Sequence, residues 1–183
     1  MNNIALTSIC IGLFAITSFA QVNGRRENQQ DRIAQGVQSG QLTPGETSRI
    51  ENQERGLNGE IRADKAANNG KLTAAEKKTI NHQQNGLSKE IYHDKHNAAS
   101  DHFGNSEVGR REENQQDRIA QGIKSGKLNA GQTANLEGRE AGINREIKTD
   151  RRYNGGRLTN AERKQVNRQQ NHVSKTIYHD KHK

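Results

Sequence analysis

The sequence predicts an all-α protein made of two tandem three-helix units, and three observations carry that expectation. The first is an internal duplication. Asn28–Gly36 (NQQDRIAQG) recurs unchanged at residues 114–122 and Ile91–His96 (IYHDKH) at residues 177–182, both at an offset of 86. The second is a joint written four times: a glycine suited to closing one helix, then a capping box that opens the next. These are Gly40 with Thr43 to Glu46, Gly70 with Thr73 to Glu76, Gly126 with Asn129 to Gln132, and Gly156 with Thr159 to Glu162. The third is apolar spacing of seven and four residues after each box, as in Ile50, Leu57 and Ile61, which places those residues along one edge of a helix.

Taken in order, the chain opens on an uncharged stretch whose apolar run, Ile4 to Phe19, ends in the small-x-small pattern Ser18-Phe19-Ala20. Such a segment reads as a signal peptide over residues 1–20, cleaved after Ala20, and the protein is then periplasmic or secreted. An uncleaved anchor is the alternative, since no Lys or Arg precedes the run. No later segment is apolar enough to cross a bilayer. The single cysteine, Cys10, lies within this leader, so the mature chain has neither a disulfide nor a thiolate metal site.

Unit 1 is read over residues 25–96. Its first helix carries Ile33 and Val37, its second the seam Ile50, Leu57, Ile61, and its third Ile80, Leu87, Ile91. Within the unit a period of 30 relates Gly40, Leu42, Glu46 and Ile50 to Gly70, Leu72, Glu76 and Ile80, so the building block is one helical hairpin. The polar, glycine-bearing residues 97–109 (NAASDHFGNSEVG) read as a linker. Unit 2, residues 110–183, repeats the pattern through Ile119 and Ile123, then Leu136, Ile143, Ile147, then Val166, Val173, Ile177. About ten apolar anchors per unit make a thin core. Either the helices associate loosely, or the two units, or two chains as a homo-oligomer, pack seam against seam.

The formal net charge of +8 is uneven. Residues 25–96 hold 12 basic and 10 acidic side chains, residues 110–183 hold 17 and 9. Polyanion binding is therefore expected of unit 2 if of either, through Arg151, Arg152, Arg157, Arg163, Lys164 and Arg168. With three tyrosines, three phenylalanines and no tryptophan there is almost no platform for stacking bases, which argues against nucleic acid.

Two residue sets are candidate metal ligands. Residues 65–76 and 151–162 resemble the twelve-residue calcium loop of the EF-hand family: Gly70 and Gly156 take the tight-turn place, Leu72 and Leu158 the apolar place, and Glu76 and Glu162 the place of the closing carboxylate. The resemblance implies an EF-hand-like joint and a weak calcium site. The opening positions, however, are Lys65 and Arg151, with Asp64 and Asp150 one place early, and the capping box explains the recurrent Gly, Leu, Thr and Glu without an ion. His93 with His96, and His179 with His182, are spaced i, i+3 and form the second set, able to pair on Zn²⁺ or Cu²⁺. They project opposite the apolar seam and read equally as exposed histidines on a polar face.

Catalysis finds no nucleophile motif around Ser39, Ser88 or Ser174, no phosphate-cradling loop and no dinucleotide fingerprint. Across most of its length, through the NQQDRIAQG, GxLTxxE and IYHDKH blocks, the chain resembles small exported repeat proteins of bacteria, a resemblance that implies no activity. The expectation is a non-enzymatic extracytoplasmic module that binds or scaffolds an unidentified protein or envelope component. Divalent-metal binding and polyanion binding are the alternatives.

Overall fold

The computed structural model describes residues 13–101 and 103–183, with side chains from residue 21 onward. The segment read as a leader, residues 1–20 with Cys10, lies outside the described side chains. Six helices are the regular elements among the described residues, and there is no strand: α1 (Leu13–Gln38), α2 (Pro44–Ala67), α3 (Ala74–Lys95), α4 (Glu107–Lys124), α5 (Ala130–Tyr153) and α6 (Asn160–Lys181). The fold is all-α.

Helices α2, α3, α5 and α6 begin at the four capping boxes. In each, the cap side chain accepts from the backbone of the third helical residue, whose own side chain accepts from the cap backbone. Thr43 N, for example, donates to Glu46 Oε2 at 2.9 Å. Gly40 and Gly126 end the first hairpin arm of each unit at φ +69° and +67°, where a Cβ is strained. Helix α4 starts earlier than the linker reading allows: Ser106 caps it by accepting from Gly109 N at 3.1 Å, so the connection is residues 97–106 and Val108 belongs to the core. Its counterpart Val22 is buried as well, against Leu57, Ile61, Leu72 and Ile80. Each unit thus packs from two or three residues upstream of the charged residue at which its reading began.

The duplication is preserved in the hydrogen bonding. Buried Gln29 donates to the carbonyl of Gln84, and Gln115 to that of Gln170; Gln84 in turn donates to Val22 O and Gln170 to Val108 O. Arg32 and Arg118 both grip a serine on the third helix, Ser88 and Ser174. Arg25 meets Asn85 as Arg111 meets Asn171.

The units do not stand apart. Helix α2 lies antiparallel along α5 and α1 packs on α4, and one core runs through both units, joining Ile33, Ile50 and Ile91 to Ile119, Leu136 and Ile177. The α2–α5 contact is reciprocal. Gly45 approaches Ala141, while Gly131, its counterpart, approaches Arg55, the counterpart of Ala141. Such exchange is the signature of a two-fold relation between the halves, here within one chain. Ile50 and its counterpart Leu136, both fully buried, sit at the centre of that contact. Of the packing modes open to the thin apolar seams, the chain uses unit against unit, which doubles the core without lengthening either half.

Candidate functional site

The glutamates of the calcium-loop reading are held as helix caps. Glu76 Oε2 accepts from Thr73 N at 2.7 Å and Oε1 from Asn68 Nδ2 at 2.8 Å. Glu162 repeats this with Thr159 N at 2.7 Å and Asn154 Nδ2 at 2.8 Å. The backbone N–H of the cap, more than any other contact, holds each carboxyl below its usual range. Both oxygens already have donors, and Asn68 and Asn154 present N–H groups where a cation would need oxygens.

His93, His96, His179 and His182 are exposed, on the face the helical spacing assigns them. His96 stacks on Tyr92 with ring centroids 4.2 Å apart and its Nδ1 lies 2.6 Å from Tyr92 O; His182 does the same with Tyr178, at 4.3 Å and 2.7 Å. His93 and His179 lean instead toward Asp94 and Asp180, with Nδ1 to Oδ1 distances of 3.2 Å and 3.6 Å. Each member of an i, i+3 pair therefore has its own partner and the two rings do not turn toward one another. Among the described residues no three His, Cys, Asp or Glu side chains converge to hold an ion.

What the sequence reading missed is a layer of carboxyls inside the molecule. Glu51 and Glu54 on α2, Glu137 and Glu140 on α5, and Glu112 on α4 are all buried. Burial raises Glu51 to about 8, with Gln30 opposing and Glu54 reinforcing the shift. It raises Glu54 to about 7, against the pull of Arg26, and Glu140 to about 8, where Glu112 and Asp101 push it further. Glu137 is pushed well above the ordinary range by full burial, and Glu112 to about 7 by burial and by Asp101. Neither oxygen of Glu54 or of Glu140 has a hydrogen-bond partner. The signal was present: Glu54 stands four residues after Ile50 and three before Leu57, in the seam itself, and Glu140 holds the same place between Leu136 and Ile143.

These carboxyls flank a place where the two-fold relation fails. Residues of the linker lie across the end of α1: Asp101 N donates to Gly40 O at 2.9 Å, and Asn97 Nδ2 donates to Glu46 Oε1 at 2.7 Å. Asp101 is also hydrogen-bonded to Glu112, a contact between two carboxyls that needs a proton between them. Gly40, Pro44 and Glu112 are buried in consequence. Their counterparts are uncovered: Gly126 and Arg26 are exposed and Ala130 half-buried. They line an open cleft of ≈ 340 Å³ between α1 and the α4–α5 joint, together with Lys124, Asn58, Glu27 and Asp31.

A second cleft, of ≈ 370 Å³, lies where the α5–α6 joint meets the start of α4, walled by Arg151, Arg157 and Arg163 over Val108 and Leu158. None of these three guanidinium groups makes a hydrogen bond or ion pair with another described residue. Three of the six cations proposed from sequence are thus brought together. Arg168 instead lines a different, shallower depression with Arg139, Glu146 and His172, and Arg152 and Lys164 line neither. The chain matches no family, no curated protein and no solved structure.

Proposed function

We propose that the protein is an exported, non-enzymatic helical binding module, whose ligand occupies the cleft beside Gly126. The observation that carries this reading is the broken symmetry: the same cleft is built twice, and only one copy is covered by the chain itself. The hydroxyls support a role without catalysis. Ser88 and Ser174 accept from Arg32 and Arg118, Ser39 bonds the turn that ends α1, and none is paired with a histidine. Export is supported by the repeat register. Cleavage after Ala20 leaves Gln21 at the front, and Gln21 is the counterpart of Glu107, the first residue of α4. Backbone-amide spectra of the exported protein, recorded with and without an extract of its native compartment, test the reading. Shifts at Gly126 and Asn129 with none at Gly40 are expected; an extract that moves no residue of the cleft removes it.

A second reading, polyanion binding by unit 2, is favoured by the cleft of Arg151, Arg157 and Arg163. The equivalent positions of unit 1 are Lys65, Lys71 and Lys77, which lack the planar fork that grips sulfate or phosphate in two places. Replacing the three arginines with glutamine is expected to abolish retention on heparin at about 0.15 M salt, where surface charges are already screened. Unchanged elution removes this reading.

A further inference from the structure

Resting on the reading of the Gly126 cleft as a binding site, we propose that its ligand is an aspartate-bearing peptide segment of a partner protein, seated there as the chain's own linker is seated beside Gly40.

The covered cleft shows how a peptide sits. The segment lies over the turn, the N–H of Asp101 on Gly40 O at 2.9 Å, and its carbonyl passes so close that a Cβ on Gly40 would meet it at 2.6 Å. Glycine is required there both for the left-handed turn and for this approach. Gly126 holds the same turn, φ +67° against +69° with the same backbone bonds around it, and nothing lies within 4 Å of the place a Cβ would take. A main-chain turn lining an open cleft offers a peptide the kind of backbone hydrogen bond that Asp101 makes at Gly40.

The charges choose the peptide. In the covered cleft the carboxyl of Asp101 meets that of Glu112, and the two can bond only by sharing a proton, so neither offers the other a counter-charge. The linker holds that place because it is tethered at both ends, which makes docking intramolecular. In the open cleft Arg26 stands where Glu112 does, and Lys124 where Gln38 does. An aspartate seated beside Gly126 meets two cations in place of an acid and needs no tether. Glu27 and Asp31, both exposed on the rim, repel additional acids, so the fitting segment carries one aspartate among small uncharged residues. The residues before Asp101, Ala98-Ala99-Ser100, have that character.

The test is titration of the exported, purified protein with a synthetic, end-blocked peptide of residues 97–105, followed by calorimetry and by backbone-amide shifts. Saturable one-to-one binding is expected, with shifts at Gly126 and Asn129. At least tenfold weakening is expected from Arg26→Ala or from a peptide with asparagine in place of its aspartate. Gln38→Ala, at the counterpart of Lys124, should leave affinity within twofold. Binding indifferent to both charge changes overturns the proposal, as does self-association of the protein that shifts Gly126 while the peptide does nothing, which would assign the cleft to a second copy. If the peptide fails but a component of the native extract still shifts Gly126, the acidic-peptide inference falls and the binding module stands; if neither shifts it, both fall.

Discussion

The end of α1 and the end of α4 carry the same glycine turn, the same buried leucine and the same capping geometry, yet one is covered and the other open. A few positions separate them. Around Gly40 the chain supplies Glu112 and a linker; around Gly126 it supplies Arg26, Lys124 and solvent. The comparison teaches that the scaffold is set by what the two units share, the helix caps and apolar seams. Any difference in what they bind is set by side chains at positions the fold leaves free to vary.

The strongest test of that division is to break the shared part. Ile50→Ala and Leu136→Ala each remove a fully buried side chain at the centre of the α2–α5 contact, and each is expected to cost about 3–4 kcal/mol. Because one core serves both halves, thermal unfolding should remain a single transition with both units melting together; two separate transitions would show the units to be independent.

Next in size is the carboxyl layer. Glutamates whose carboxyls are raised to about 7 or 8 in the folded protein favour the protonated form there, while the unfolded chain releases the same protons near pH 4.5. Their contribution to stability is therefore complete below about pH 4.5 and lost as pH rises through 7 to 8, so the protein should melt at a higher temperature at pH 5 than at pH 8. Glu140→Gln is expected to raise stability at pH 8 by about 2–3 kcal/mol and to change little at pH 5. Glu54→Gln should show the same pattern more weakly, because Arg26 already favours its ionised form where Glu112 disfavours that of Glu140. Melting curves at the two pH values would decide it, and equal effects of the two substitutions would mean the asymmetry of the clefts does not reach the core.

A smaller contrast isolates the linker. Gly126→Ala carries only the strain of a left-handed alanine, about 1–2 kcal/mol. Gly40→Ala adds a clash with the Asp101 carbonyl and should cost about 1–2 kcal/mol more, read from denaturant midpoints. The smallest effect concerns what the units hold in common. Thr73→Ala and Thr159→Ala should each cost about 1 kcal/mol, and equally, since both caps make the same bonds. A difference between them would reveal a contact specific to one unit.

Much of the fold was legible because its joints are local. Thr-x-x-Glu after a glycine states where a helix ends and the next begins within seven residues, and all four boxes form as written. The start of α4 was misplaced because Ser106 caps onto Gly109 with no acid three residues on to announce it. The partnering of the seams was not legible, since hydrophobic spacing says which edge is apolar and not which edge it meets. Glu76 and Glu162 were correctly placed on joints, and the cap bonds that occupy them follow from the same spacing that suggested calcium. Glu54 and Glu140 went unseen because a glutamate within an apolar stripe is read as a gap in the stripe. The cleft itself depends on bringing together residues about a hundred positions apart, such as Arg26 and Gly126, which no periodicity connects.

The reciprocal contact of Gly45 with Ala141 and of Gly131 with Arg55 has one more consequence. Halves related in this way are what a symmetric homodimer of a single-unit ancestor becomes when its two genes are read as one. Such a dimer would carry two identical clefts. Fusing it required a connecting segment, and that segment came to rest in one of them. On the binding role proposed above, the joined chain offers one open cleft and one filled by its own linker, and the open one carries Arg26 and Lys124 where the filled one has Glu112 and Gln38.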